Sequence, residues 1–275
     1  MSRLMILFLA FFLSACGRVD QETPARPERP VRIVSLDYCA DQYVLKLVDR
    51  DRILALSPDA GREFSYMRAA AEGVPTVRPN AEDVLILKPD LVVRSYGGGP
   101  NAAAFFEKAG VPVVDIGWTP DIPSVMENTQ RIADALGESE RGAAVNEDMQ
   151  DRLARLKKRS TGETALYMTP AGVTTGPGSL IHEMIVAAGL TNMEDQYGWR
   201  SLPLETLAYE KPDVVAAAFF GSRTNHPDAW SPMKHPVAKA QLTQSEVVSL
   251  EGAWTSCSGW FLMDAVEALA GGETQ

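Results

Sequence analysis

The sequence predicts an α/β protein made of two Rossmann-like lobes with mainly parallel sheets, joined by a long single helix, with a cleft between them. The first observation is a repeat: twelve residues from Glu82 align without a gap with twelve from Glu205, and both copies contain Lys-Pro-Asp. Each copy is a helical turn followed by β-branched residues, the pattern of a helix leading into a buried strand. The second observation is that predicted strands alternate with helices, which is typical of parallel sheets.

The first thirty residues are predicted to precede the folded part. Arg3 and the apolar run 4–13 suit a secretory signal, since the run is too short to span a bilayer. Leu13-Ser14-Ala15-Cys16 resembles the lipobox of bacterial lipoproteins, which implies cleavage before Cys16 and acylation of its thiol; a plain signal with an unrelated cysteine is the alternative. The predicted organisation is a signal peptide 1–15, a lipidated flexible tether 16–30, an N-terminal α/β lobe 31–120, linker helices 121–160 and a C-terminal α/β lobe 161–275.

Charge and cysteine content limit the partners and the compartment. The formal net charge is −10, and removing the single positive charge of Arg3 with the signal gives −11. Without a basic stripe to offset this charge, nucleic acid is not an expected partner. If Cys16 is acylated, Cys39 and Cys257 remain in a compartment that permits disulfides, so we expect either a bridge between them or two separate small apolar side chains.

The elements of the first lobe alternate regularly. Short apolar and β-branched runs predict strands at 32–36, 53–56, 91–93 and 111–116, with helices from 40 to 48 and from 101 to 109. Ligands of parallel sheets bind at the carboxyl ends of the strands. The residues expected there are Asp37, Tyr38, Ser57, Tyr96, Gly97, Gly98, Gly99 and Trp118.

Two helical segments, 122–136 and 140–158, separate the repeated units and are broken at Gly137. The second segment carries one apolar stripe, with charges on its other faces. Because a single helix crossing between lobes is stiffer than several extended strands, we expect only small closure motions.

The second lobe repeats the order of the first. The pattern predicts a strand at 164–168, a helix at 179–188 ended by Gly189, the second repeat copy, strands at 214–218 and 247–250, and a last helix at 260–269.

In this order the residues resemble the class III periplasmic binding proteins of ABC importers, which carry ferric siderophores, haem and vitamin B12. The resemblance covers about residues 31–269 and rests on Arg32-Ile-Val-Ser-Leu, both repeat copies, Gly110-Val-Pro-Val-Val and Gly176-Pro-Gly-Ser-Leu-Ile-His-Glu-Met. It implies a monomeric periplasmic receptor, held at the membrane through lipid only, with no cofactor of its own. Its ligand would be an iron chelate or a corrinoid such as cobalamin, delivered to an ABC permease with a separate ATPase.

In that family one glutamate of each lobe, within the repeated segment, contacts arginines of the permease. The resemblance therefore implies docking through Glu82 and Glu205. Two carboxylates at equivalent places on two similar lobes suit a two-fold partner. The alternative is that each is an ordinary acidic residue near a helix N-terminus.

Eight side chains are expected to face the cleft: Tyr38, Tyr66, Tyr96, Trp118, Trp199, Phe219, Arg223 and Trp254. Aromatic rings give broad apolar contact with a polar edge, which suits ring-bearing chelates, and the arginine can pair with an anionic group. Core packing is the alternative for each aromatic. The family often has a Pro-x-x-Thr-Glu type segment after the first strand, whereas this chain has Asp37-Tyr-Cys-Ala-Asp-Gln, so known pockets are not copied in detail.

Other classes of function have weaker support. The three histidines, His182, His226 and His235, lack zinc-like spacing, although haem ligation through Tyr or His is an alternative. There is no G-x-S-x-G elbow, P-loop or G-x-G-x-x-G, so an enzyme is not expected. The run 97–99 either binds phosphate at a helix N-terminus or only turns the chain. A surface lipoprotein that binds protein without transport is the remaining alternative.

Overall fold

Two four-stranded parallel sheets form the frame of the molecule. The structure is a computed structural model and describes residues 28–160, 162–220 and 231–271. Within these ranges, no helix combines the length and the apolar character needed to cross a bilayer. The predicted α/β fold class is confirmed.

The first sheet has the strand order β2-β1-β3-β4, with all pairs parallel. Its helices connect successive strands, as predicted. The elements of this lobe are β1 (Ile33–Ser35), α1 (Tyr38–Leu47), β2 (Ile53–Ala55), α2 (Ala81–Ile86), β3 (Leu91–Arg94), α3 (Ala102–Lys108) and β4 (Val113–Asp115).

The linker consists of two helices, α4 (Ile122–Leu136) and α5 (Ser139–Arg155). The Asp121 carboxylate accepts a hydrogen bond from the Ser124 N–H (2.7 Å), which satisfies one of the free donors at the start of α4. Gly137 ends α4 with a φ of 71°, a left-handed conformation that favours glycine, and it causes the predicted break. α4 packs against α1, whereas α5 continues into the second lobe.

The second sheet has the order β7-β5-β9-β10, which matches the first sheet strand for strand. Its elements are β5 (Thr164–Met168), β6 (Val173–Thr175), α6 (Leu180–Ala187), β7 (Thr191–Asn192), β8 (Trp199–Ser201), α7 (Leu204–Leu207), β9 (Val214–Phe220), α8 (Pro236–Gln244), β10 (Glu246–Glu251), α9 (Gly252–Thr255) and α10 (Leu262–Leu269). The antiparallel ribbon β6–β8 and the helix α8 were not predicted. Both ribbon strands have only three residues, too few for a periodic pattern.

The Lys-Pro-Asp of each repeat copy anchors the first strand of its own lobe. Asp90, just before β3, accepts hydrogen bonds from the N–H groups of Val31 (2.9 Å) and Arg32 (3.0 Å). Asp213, just before β9, accepts from the N–H (2.8 Å) and hydroxyl (2.9 Å) of Thr164. β1 neighbours β3, and β5 neighbours β9. The aspartate at the equivalent repeat position therefore bonds to the start of the first strand in each lobe. The two copies are therefore similar in structure as well as in sequence.

One apolar core runs through both lobes. It includes Ile33 of the first sheet, Met149 of α5, Ala165 of the second sheet and Phe261 ahead of α10, all fully buried. The opposite faces of the two sheets pack against smaller clusters under α2 and α3 and under α7 and α8. Since moving the lobes apart would expose this shared core to water, its continuity favours a stiff joint.

Candidate functional site

A pocket of about 270 Å³ lies at the carboxyl edge of the first sheet. Its lining comes from the ends of β1 and β3 and from the segment that follows β2. The lining residues are Leu36, Asp37, Ser57, Pro58, Asp59, Pro79, Tyr96, Gly97 and Gly98. This is the edge where the strand-end argument expected a ligand. Five of the residues it named line the pocket: Asp37, Ser57, Tyr96, Gly97 and Gly98.

Asp37 joins the ends of β1 and β3 at the pocket. One carboxylate oxygen caps α1 by accepting from the Ala40 N–H (3.0 Å). The other accepts from the N–H groups of Ser95 (2.7 Å), Tyr96 (3.1 Å) and Gly97 (2.8 Å). Four N–H donors satisfy this buried carboxylate, so its role is to shape the loop.

Arg94, the last residue of β3, fixes the glycine loop 97–99 through hydrogen bonds. This buried guanidinium donates to the carbonyl oxygens of Gly97 (2.9 Å) and Gly99 (3.0 Å). A Cβ on Gly97 would lie 2.4 Å from the Leu36 carbonyl oxygen, so no side chain fits there. Because N–H groups of this loop already point at Asp37, they are not free to bind phosphate; the loop turns the chain and presents Tyr96.

Three aromatic rings form a row beside the pocket. Tyr38 lies edge-on to Phe64, with ring centroids 4.6 Å apart, and edge-on to Tyr96 at 6.0 Å. Tyr96 is half exposed and also lines the pocket. Phe64 was missed by the sequence reasoning because it lies in the turn-rich segment between β2 and α2, which has no periodic pattern.

Asp41 and Ser57 form a buried pair next to the pocket. The Asp41 carboxylate accepts from the Ser57 hydroxyl (2.6 Å) and N–H (3.0 Å). Burial is the main cause that raises the pKa of Asp41 to about 6, against hydrogen bonds from Ser57 and Ser35 that lower it. At neutral pH this carboxylate is therefore mostly charged in the folded protein, and keeping it charged in a buried place costs free energy.

Replacing Asp41 by asparagine is expected to change how stability depends on pH. The folded pKa lies above the ordinary value of 3.8, so the stability contributed by this group is complete below about pH 4 and is lost as pH rises through about 6. The loss at pH 7 is on the order of 3 kcal/mol.

Urea unfolding of the wild type and Asp41→Asn at pH 5, 6, 7 and 8 measures this effect. The stability of the variant relative to the wild type should rise from pH 5 to 7 and then stay level. Comparing pH values cancels any pH-independent cost of the amide, and a difference that does not vary with pH would contradict the assignment.

The described lining of the pocket comes from the first lobe, and the predicted contacts of the second lobe that the structure describes lie elsewhere. Trp199, at the start of β8, is half exposed, with its ring 6.0 Å from that of the buried Tyr167. Tyr197 is highly exposed, and a Cβ on Gly178 would lie 2.1 Å from its ring. Trp254 is half-buried and packs on the main core.

The other residues predicted to contact a ligand lie away from the described lining of the pocket or outside the described part of the chain. Trp118, after β4, is largely exposed. Tyr66 lies in the joint between the lobes, where its hydroxyl donates to Asp264 (2.8 Å). The Phe219 backbone belongs to β9, but its side chain lies outside the described part of the chain, as do Arg223 and Cys16.

The joint beside the pocket is cross-linked. Cys39 and Cys257 form a disulfide with a Cα–Cα distance of 5.5 Å, so the predicted bridge is present, one residue away from Tyr38. The Tyr43 hydroxyl donates to the Ser258 carbonyl oxygen (3.1 Å), and the Tyr43 ring lies edge-on to Trp260.

A second set of contacts extends this joint along α5 and α10. Tyr66 stacks on Phe261 with ring centroids 4.9 Å apart. Arg152 of α5 donates to Asp264 (2.6 Å) and Glu267 (2.8 Å). A disulfide, aromatic contacts and hydrogen bonds therefore hold the two lobes together, and ion pairs hold α5 against α10.

Histidine chemistry is limited in the described residues. His182 lies within hydrogen-bonding distance of Asn192 (3.2 Å), and His235 caps the start of α8. His226 lies outside the described residues. Within the described ranges, no three His, Cys, Asp or Glu side chains converge as a metal site would require.

Glu82 and Glu205 lie at equivalent places on the two lobes. Each is exposed in the first turn of its helix, α2 or α7, and forms no ion pair with any described residue. Neither lines the pocket.

Comparison with known proteins places this geometry among binding proteins. The family model described as periplasmic binding protein matches residues 33–227. No match is found among curated proteins.

Solved structures show the same fold. The periplasmic heme-binding protein RhuT from Roseiflexus sp. RS-1 has a TM-score of 0.68 at 20% identity, covering 87% of this chain and 98% of that chain. The periplasmic heme-binding protein BhuT, in complex with two hemes, has a TM-score of 0.65 at 25% identity, covering 87% and 96%. The periplasmic vitamin B12 binding protein BtuF of Vibrio cholerae has a TM-score of 0.65 at 20% identity, covering 89% and 97%.

Proposed function

The chain belongs to the periplasmic binding protein family, and on that premise we propose that it captures an iron chelate or a corrinoid and delivers it to an ABC importer. The observation that carries this proposal is the aromatic row at the carboxyl edge of the first sheet. Tyr96 lines a pocket in one half of a duplicated frame, Tyr38 lies edge-on to Tyr96, and the buried Phe64 packs against Tyr38. Flat aromatic surface beside a pocket suits a large ring-bearing ligand.

The charge of the pocket bears on the ligand. Among the described residues, its lining includes Asp37 and Asp59 and no Lys or Arg. An anionic ligand such as haem, with two propionates, would place those groups away from this wall, whereas a corrinoid amide can approach it. Arg223, which lies outside the described residues, is the proposed partner for an anionic group. Haem is the alternative ligand, because two of the similar structures are named as heme-binding proteins.

The receptor is proposed to act outside the cytoplasm, with Cys16 acylated and residues 16–30 as its tether. No catalytic step is assigned to it, and Glu82 and Glu205 are proposed to orient it on a two-fold permease. The mass of the mature N-terminal peptide distinguishes an acylated Cys16 from a plainly cleaved signal.

Ligand titration tests the proposal. The purified protein is titrated with haemin, cyanocobalamin and ferrioxamine B, and tryptophan fluorescence is followed. Saturable quenching by one of them is expected, and Tyr96→Ala should weaken that binding roughly tenfold because it removes an aromatic wall of the pocket.

The matched control is Phe105→Ala, which removes an equally exposed aromatic from α3, outside the pocket lining. Its affinity should equal that of the wild type. Absence of saturable binding for all three probes, together with a cargo-free native mass spectrum of protein purified from its own cells, would overturn the receptor assignment.

A further inference from the structure

The repeat places a second matched pair of residues beside the two glutamates. Ile86 follows Glu82 by four residues, and Tyr209 follows Glu205 by four, so both pairs keep the same register. Ile86 is 75% exposed and Tyr209 is 91% exposed. Two large apolar side chains are thus left in water at corresponding positions of the two lobes.

Local structure puts each glutamate and its apolar neighbour on one face. In a helical turn, residues four apart lie one above the other. Glu82 and Ile86 both belong to α2, and Tyr209 continues the turn of α7, with its N–H donating to the Thr206 carbonyl oxygen (3.0 Å). Each lobe therefore presents an acidic group and an apolar group side by side; we refer to Glu82 with Ile86, and Glu205 with Tyr209, as the two docking pairs.

The two docking pairs lie at matching positions relative to the strand that follows them, although Ile86 is the last residue of α2 and Tyr209 follows the end of α7. Each lies just before Lys-Pro-Asp, whose aspartate, Asp90 or Asp213, is hydrogen-bonded to the first strand of its lobe. The sheets behind them have the same strand order. A partner with two similar halves can thus meet an acidic and an apolar group at a matching place on each lobe.

Scattered exposed apolar residues are common on protein surfaces and by themselves indicate nothing. Here the exposure recurs at the repeat offset, next to an unpaired carboxylate, which indicates a shared binding role. Ile and Tyr differ in shape and polarity, but both offer a large apolar area.

Resting on the proposed function, we propose that Ile86 and Tyr209 are apolar anchors. Each enters an apolar recess beside a cationic side chain on one half of a two-fold membrane permease. The glutamate supplies orientation through its charge, and the apolar group supplies area that is buried only in the complex.

Charge decides between a permease and a second copy of this chain. A symmetric contact between two copies would bring Glu82 or Glu205 against another carboxylate, and the chain already carries a formal net charge of −10. Like charges facing each other disfavour such a contact. A partner with positive groups at these positions has no such penalty.

Binding to the detergent-purified permease–ATPase complex of the same importer tests the proposal. Ile86→Ser with Tyr209→Ser should weaken docking about tenfold or more, equally at 50 mM and 500 mM NaCl, since apolar contacts are little screened by salt. Glu82→Gln with Glu205→Gln should weaken it most at 50 mM NaCl. Tyr209→Phe should retain most of the affinity, because it keeps the ring.

The matched control is Val31→Ser with Val186→Ser, which removes one exposed apolar side chain from each lobe outside the docking pairs. This control should dock as the wild type does. Unfolding midpoints should be unchanged in all variants, and so should the affinity for whichever of haemin, cyanocobalamin and ferrioxamine B binds saturably to the wild type.

The outcomes distinguish failure of the anchor role of Ile86 and Tyr209 from failure of the proposed receptor function. If Ile86→Ser with Tyr209→Ser docks as the wild type does while the glutamine variant fails, the anchors are refuted and the receptor function stands. If the wild type itself shows no saturable binding to the importer, the proposed function fails with them. Equal loss in the Val31 and Val186 control would refute a specific role for the docking pairs.

Discussion

Reversing both docking charges, Glu82→Lys with Glu205→Lys, is expected to abolish ligand uptake while ligand affinity stays within a few-fold of the wild type. Each carboxylate is exposed and unpaired among the described residues, so its loss does not disturb the fold. In a complex with a permease, each reversal would replace an attraction by a like-charge contact, which costs several kcal/mol. Two such contacts correspond to a loss of roughly a thousandfold or more in docking.

Uptake of radiolabelled ligand into cells or proteoliposomes, measured beside a fluorescence titration of the purified variant, checks this prediction. The control is Glu107→Lys with Glu147→Lys, which changes the net charge equally at two exposed positions outside α2 and α7. That control should retain uptake. A parallel loss of uptake and ligand affinity in the double reversal would mean that the glutamates line the pocket or support the fold.

Removing the disulfide, by Cys39→Ala with Cys257→Ala, should destabilise the protein by about 5 kcal/mol in the chain-entropy model. The bridge joins residues separated by 218 positions, so it restricts the unfolded chain strongly. The native joint keeps its other contacts, including the Tyr43 hydrogen bond to Ser258. We therefore expect a folded but much less stable variant.

Guanidinium unfolding with and without a reductant measures the effect. Reductant should lower the unfolding midpoint of the wild type to that of the double alanine variant and should leave the variant unchanged. Mass spectrometry of the non-reduced mature chain should find Cys39 and Cys257 in one linked peptide. Two free thiols, or a wild-type midpoint that does not respond to reductant, would contradict the role of the bridge.

Local patterns in the sequence were sufficient for most helices and strands. The strand Thr164–Met168 and the helix Ile122–Leu136 have the predicted bounds, because their boundaries carry clear signals such as Asp121 and Gly137. The ribbon β6–β8 was missed, since two strands of three residues acquire their stability from pairing with each other. Pairing between strands that are distant in the sequence produces no local pattern of apolar residues.

The residues of the candidate pocket were predicted in part. The strand-end argument identified Asp37, Ser57 and Tyr96, because the direction of a parallel sheet determines which loops meet. It did not identify Phe64, a buried ring in a segment without periodicity that packs edge-on against Tyr38. It also named Tyr66 as a ligand contact, which stays a prediction; the structure shows this ring stacked on Phe261 in the joint.

The sequence by itself determined that the fold consists of two similar α/β lobes. The spacing of apolar residues, the turn residues and the repeated segment can all be recognised along the chain without knowing any distance in space. Only the tertiary structure decided that Cys39 bonds to Cys257, that one core passes through both lobes, and that Ile86 and Tyr209 are exposed. Burial and pairing depend on residues far apart in the chain, and a single sequence records the side chains but not the distances between them.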